Sequence, residues 1–175
     1  MISDTSILWL LPIIFMIHDF EEIVPITGWM SKNKEYISKR VPARFLGRVD
    51  RLSSLTTSQF SAAVGVLFII FSISTFLAYE FQFYPLYIVL SLGLFLHAFM
   101  HIGASIYLRR WTPGAATSLV LLIPYGLLSI DYFIRNDLLH FPSLLIYIVL
   151  VAVLFAPLLM FLHFIGRKLS RPESR

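Results

Sequence analysis

Long apolar runs separated by short polar breaks dominate the chain. Runs at about residues 7–30, 59–79, 84–108, 112–134 and 142–165 each approach or exceed the ~20 residues that a helix needs to cross a bilayer. The pattern predicts an all-α integral membrane bundle of five transmembrane helices, forming a single domain over residues 1–175. The breaks are short except for residues 31–57, where Lys32, Lys34, Lys39, Arg40, Arg44, Arg48 and Arg51 form a basic connector. Within it, Pro42 is placed to start a short helix with Phe45, Val49 and Leu52 on one face, either interfacial or simply solvated.

The first run departs from the others because His18, Asp19, Glu21 and Glu22 lie near its middle. A central Asp costs about 2.5 to 3.5 kcal/mol on insertion, whereas each Leu, Ile, Phe or Val returns only ~0.3 to 0.6. So many ionisable groups are tolerable only if they face other helices or a wet cavity, and such residues are functional candidates. The segment has no positive leader region and no small-residue cleavage site, so it reads as a retained helix rather than a signal peptide. Asp4 or Ser6 is placed to cap it, and Pro12 and Pro25 to bend it. The second run carries small residues, Ser58, Ala62, Gly65 and Ser72, at a spacing suited to close helix contact. Thr112-Pro113-Gly114 is placed to open the fourth helix as a cap followed by proline.

Composition agrees with this class: 58% of residues are hydrophobic and 14% charged. The mean hydropathy is +0.80. The absence of cysteine removes disulfides, thiolate metal sites and thiol nucleophiles. All the Lys and Arg residues except Arg135 fall on one side of a five-span arrangement, which predicts a cytoplasmic C-terminus and an N-terminus outside. The net charge of +4 therefore reflects membrane topology and not nucleic-acid binding. Trp9, Tyr84 and Tyr132 fall near one set of span ends, and Trp29, Tyr107 and Trp111 near the other.

Spans one and three run the same way in this arrangement, so their depths can be compared. His18 and Glu22 lie about 17 and 23 Å below Ile7, and His97 and His101 about 20 and 26 Å below Tyr84. His18 with Glu22, and His97 with His101, are each four apart and share a helix face. If the faces meet, two histidines of one helix join a histidine and carboxylates of the other in one pocket. His18, Glu22, His97 and His101 are then candidate ligands for a divalent transition metal, zinc or iron foremost, either as a four-ligand shell or as three ligands with a water in an open position. Glu21 and Glu22 are the candidate catalytic carboxylates, with Glu21 a general base or an outer partner of a ligand. A purely structural hydrogen-bonded cluster is the alternative. His140 and His163 read as interfacial side chains.

His18-Asp19-Phe20-Glu21-Glu22 resembles the signature of the HXXEE family, small multi-spanning prokaryotic membrane proteins. The segment from His97 to Pro124 is similar to that family's second block: a polar residue four before a histidine, an aromatic, a Pro-Gly pair, a Thr and a Pro. The resemblance implies a prokaryotic cytoplasmic membrane location and no defined activity. A looser resemblance, to intramembrane proteases of the CAAX-processing type, rests on the Glu-Glu pair and the histidines of another helix, with Ile26 where those enzymes carry an arginine. No phosphate-binding glycine loop, nucleophile elbow, HExxH sequence or multiple histidine boxes occur. The expected function is a metal-dependent hydrolase or related enzyme acting on a lipid or membrane-embedded substrate. The alternatives are an ion or proton-coupled transporter using the same residues and an accessory membrane subunit. Substrate and oligomeric state are not encoded in any readable motif.

Overall fold

The computed structural model describes residues 3–140, 143–151 and 153, and among these every regular element is helical. The order is α1 (Asp4–Ile23), α2 (Ile26–Ser38), a 3₁₀ turn (Ala43–Phe45), α3 (Leu46–Ser53), α4 (Thr57–Phe81), α5 (Pro85–Leu108), and then α6 (Ala115–Thr117), a π-helical turn (Ser118–Leu122) and α7 (Ile123–Arg135) in one continuous rod. Residues 143–151 are helical again.

Three helices, not five, are both long and apolar enough to cross a membrane among the described residues: Thr57–Phe81, Pro85–Leu108 and Ala115–Arg135. They fall close to the expected second, third and fourth spans. The fifth expected span, 142–165, lies mostly outside the described residues, as does His163. The first is long enough, but its acidic cluster sets it apart from the other three, and it is shorter than the expected 7–30. α1 ends at Ile23 and α2 begins at Ile26 because Pro25 has no N–H to give the Glu21 carbonyl four residues back. Much of the expected connector is accordingly helical, in α2 and α3. Of its predicted apolar face, Val49 is buried with Met30, Ile37 and Leu108, while Phe45 and Leu52 stay exposed. A Lys34–Asp50 ion pair of 2.8 Å ties α2 to α3.

α1 packs against α4 on one side and against the π-turn and α7 on the other. Its buried face runs through Ile7, Leu8, Leu11, Phe15, His18 and Glu22, at three- and four-residue spacing. Beyond its polar first turn, the exposed face of α1, with Trp9, Ile13, Ile17 and Phe20, is apolar, and Val24 just past its end continues it. From His18 onward this helix turns its polar groups toward the bundle and its hydrocarbon outward. Ser3, not Asp4 or Ser6, caps it by accepting from the Ser6 N–H. The α4 face buried in the bundle is Ala63, Val64, Leu67, Phe71, Ser74, Thr75 and Ala78, with Phe71 stacked on Phe15 at 4.3 Å. The small-residue stripe expected there is not the packing face, since Ser58 and Gly65 are exposed.

Proline within α1 creates a second requirement. Pro12 cannot donate to the Leu8 carbonyl, and a freed carbonyl in an apolar interior needs another donor. The Tyr87 hydroxyl lies 3.3 Å from that oxygen and 3.2 Å from the Ile7 carbonyl, and the Tyr125 hydroxyl lies 3.3 Å from Ile7 O and 2.6 Å from the Tyr87 hydroxyl. The pair of tyrosines thus ties α5 and α7 to the irregular turn of α1. Close contact between α5 and α7 depends on Gly126, where an added Cβ would fall 2.0 Å from the Phe95 ring.

Candidate metal centre

Four predicted ligands converge in the bundle. One ligand atom from each of His18, Glu22, His97 and His101 lies within 4.8 Å of all the others, a set able to hold a metal ion. Glu22 Oε1 is 3.2 Å from His18 Nε2, 3.5 Å from His97 Nε2 and 2.6 Å from His101 Nε2, and His97 and His101 bring their Nε2 atoms to 2.8 Å. A tetrahedral ion with bonds of ~2.0–2.1 Å would space its ligands about 3.3 Å apart, so the shorter edges would open by about half an ångström around it. His18 is 1% exposed and Glu22 8%, so water does little to compensate them.

Hydrogen bonds behind the cluster fix which nitrogens face it. His101 Nδ1 lies 2.9 Å from the Pro113 carbonyl, which can only accept, so Nδ1 carries the proton. Thr117 gives its single hydroxyl proton to Glu21 Oε2 at 2.6 Å and therefore accepts from His18 Nδ1 at 2.8 Å. In the neutral tautomers this leaves the Nε2 lone pairs of His18 and His101 directed at the Glu22 carboxylate. Neither His18 Nε2 nor Glu22 Oε1 has a hydrogen-bond partner. Lone pairs at these separations repel unless a cation lies among them. Metal-binding histidines are held in the same way, with the distal N–H given to a carbonyl or relayed to a carboxylate.

Glu21 does not join the cluster. It accepts from the Ala116 N–H at 3.2 Å, the Thr117 N–H at 2.7 Å and the Thr117 hydroxyl, so it caps the first turn of the α6–α7 rod, where free N–H groups and the helix dipole favour an anion. Of its two expected roles, general base or outer partner, this geometry fits the second. Asp19 borders the cluster, 7% exposed, with Oδ2 lacking a hydrogen-bond partner. His140 stands apart, lining a separate depression with Ile130, Ile134, Leu139 and Leu144.

Thr112-Pro113-Gly114 is not the helix start that the sequence suggests. The helix begins at Ala115, and Gly114 takes φ +82°, which swings the turn over the cluster. A Cβ on Gly114 would lie 2.8 Å from Glu22 Oε1 and from His101 Cε1 and Nδ1, so only glycine admits both the backbone angle and the approach. Reasoning from side-chain chemistry missed Pro113, Gly114 and Thr117 as parts of the site. Their one sequence signal was membership of the block that runs from His97 to Pro124.

Fold and cluster together define a helical protein with helices of membrane-spanning length and a buried His/Glu set able to hold a metal ion. A family model described as a protein of unknown function with HXXEE motif matches residues 9–129, and the chain belongs to that family. No curated protein and no solved structure matches it. The motif that gives the family its name supplies His18 and Glu22 to the cluster and Glu21 to the hydrogen bond behind it.

Thr117→Val keeps the side-chain shape but removes the relay from Glu21 to His18. Zinc affinity of the purified protein, measured by competition with a chromogenic chelator, is expected to fall by about 10- to 100-fold, with helicity unchanged.

Proposed function

We propose that this protein is a multi-pass integral membrane protein that works through a divalent transition metal, zinc or iron, held by His18, Glu22, His97 and His101. The observation that supports this reading is the set of inward-facing imidazole nitrogens around one buried carboxylate oxygen, with His18 oriented from behind by Thr117 and His101 by Pro113. Imidazole and carboxylate donors suit both metals. Bound there, such an ion would supply a Lewis acid able to polarise a carbonyl or phosphoryl oxygen and to acidify water. The chain's own residues orient the ligands: Pro113 positions His101, and Glu21 positions His18 through Thr117. Glu22, in the role of catalytic carboxylate as well as ligand, would hold the ion through Oε1 and leave its other oxygen to move a proton. The reaction class is hydrolysis or a related conversion of a lipid or membrane-embedded substrate, reached from the bilayer.

The same reading has α1 crossing alongside the three apolar helices, in a prokaryotic cytoplasmic membrane, while the fifth expected span lies mostly outside the described residues. The charge asymmetry supports a cytoplasmic connector and C-terminus. A second reading, ion or proton-coupled transport through the same residues, is favoured by Asp19, a buried carboxylate beside the cluster whose Oδ2 has no hydrogen-bond partner. Retention of the metal through dialysis against chelator separates a resident cofactor from a transported ion.

Metal content per folded chain is the test. The parent is expected to carry about one ion, and His18→Ala, Glu22→Ala, His97→Ala and His101→Ala each to lose most of it, while His140→Ala keeps it. Thermal stability in detergent is read alongside at fixed metal concentration, because bound metal itself raises apparent stability. Full occupancy in His97→Ala and His101→Ala would contradict the ligand set. In the same preparation, cysteine labelling is expected to place position 34 inside and position 136 outside.

A further inference from the structure

Away from the buried cluster, α2 packs on the turn that joins α5 to α6. Tyr36 donates to the Leu108 carbonyl at 2.8 Å, which fixes its ring. The Cζ atoms of Arg40 and Arg110 lie 3.9 and 4.0 Å from the centre of that ring. Both guanidinium groups are therefore stacked against the same ring. Two like charges gathered at one ring repel each other. Arg110 also donates to Asn33 Oδ1 at 2.9 Å, and Asn33 is itself anchored by donating to the Trp29 carbonyl at 2.8 Å. Tyr107 donates to the Arg40 carbonyl at 2.8 Å.

The nearby acids are already engaged. Glu35 pairs with Lys39 at 2.6 Å and Asp50 with Lys34 at 2.8 Å, and among the described residues no carboxylate forms an ion pair with Arg40 or Arg110. Lys32, Arg44, Arg48, Arg51 and Arg109 add positive charge to this stretch of α2, α3 and the end of α5. Two planar cations, ordered by stacking and hydrogen bonds and lacking a counter-ion, suit an anion with the forked geometry of a phosphate.

The surroundings select the kind of phosphate. Ile106, Tyr107 and Trp111 are exposed at this level, forming the aromatic and apolar belt found where a helix leaves a bilayer. Trp111 also lines an apolar depression of about 140 Å³, together with Ile102, Ser105, Ile106, Ala115 and Leu119. An anion carrying a hydrocarbon tail matches both the cations and the depression, and free phosphate matches only the first. We propose that Arg40 and Arg110, stacked on Tyr36, hold the phosphate of an anionic phospholipid, whose chain lies against the Trp111 depression. The site goes beyond the metal reading and needs no ion in the buried cluster, so either can fail without the other.

The test titrates the detergent-solubilised full chain with phosphatidylglycerol or phosphatidylcholine and counts bound lipids by native mass spectrometry. Phosphatidylglycerol is expected to bind about tenfold more tightly than phosphatidylcholine, and Arg40→Gln/Arg110→Gln to remove about that preference. Arg48→Gln/Arg51→Gln removes the same charge from α3 and is expected to change binding by less than about twofold. If the glutamine pair does not fold, Arg40→Lys/Arg110→Lys keeps the charge without the planar fork and is expected to weaken binding by about threefold or more. Equal losses in the α3 control, equal affinity for the two lipids, unchanged binding in the lysine pair, or displacement of phosphatidylglycerol by millimolar inorganic phosphate would each overturn the proposal.

Discussion

A carboxylate buried among helices of membrane-spanning length has to be compensated on the spot, and Glu22 sits among three imidazole rings from two helices, a set able to hold a metal ion. The apolar surroundings make the alternatives expensive, because a bare charge at such depth costs several kcal/mol. That constraint explains why α1, otherwise a conventional apolar helix, turns His18, Asp19 and Glu22 into the bundle and Ile17, Phe20 and Val24 outward. It also explains why the chain reverses so tightly after α5. The turn at Pro113 and Gly114 must bring a backbone carbonyl to His101 while leaving no side chain between them.

Irregular backbone recurs around the site, and each irregularity finds a partner. Pro12 frees the Leu8 carbonyl, which the Tyr87 hydroxyl approaches while Tyr125 holds that hydroxyl in turn. Pro25 ends α1 just beyond the Glu pair. Pro124 cannot donate to the Val120 carbonyl, and the rod passes through a π-turn just before it, where Ile123 donates to the Ser118 carbonyl five residues back. That turn follows Thr117 directly, so the hydroxyl that orients His18 sits at the junction of a helix start and a widened turn. At the opposite end of α2 from Pro25, the stacked arginines give the bundle a charged surface that needs no buried counterpart.

Regular helical geometry made the clustering of these four residues legible in the sequence. Four-residue spacing put His18 with Glu22 and His97 with His101, and a uniform rise per residue matched their depths before any packing was known. The end of α1 was not legible from hydropathy, since Ile26 and Trp29 continue the apolar run past Pro25, and only the missing N–H stops the helix. The role of Glu21 was open for a different reason: its partners are the N–H groups of Ala116 and Thr117, almost a hundred residues away, and backbone donors carry no sequence signature. Gly114 looked like part of an ordinary helix cap because spacing cannot report a positive φ. The buried face of α4 was misread for a related reason, as small residues mark where helices can approach and not where they do.

The central claim is that His18 and His101 present bare Nε2 atoms to a cation-binding space and are not protonated partners in a salt bridge with Glu22. Solid-state ¹⁵N NMR of histidine-labelled protein in lipid distinguishes these directly, because a protonated ring nitrogen and a bare one resonate far apart. The account predicts that with one equivalent of zinc both rings keep the proton on Nδ1 while their Nε2 signals move to the position of a metal-bound nitrogen. Imidazolium signals with both nitrogens protonated, unmoved by zinc, would contradict it and leave a hydrogen-bonded structural cluster in its place.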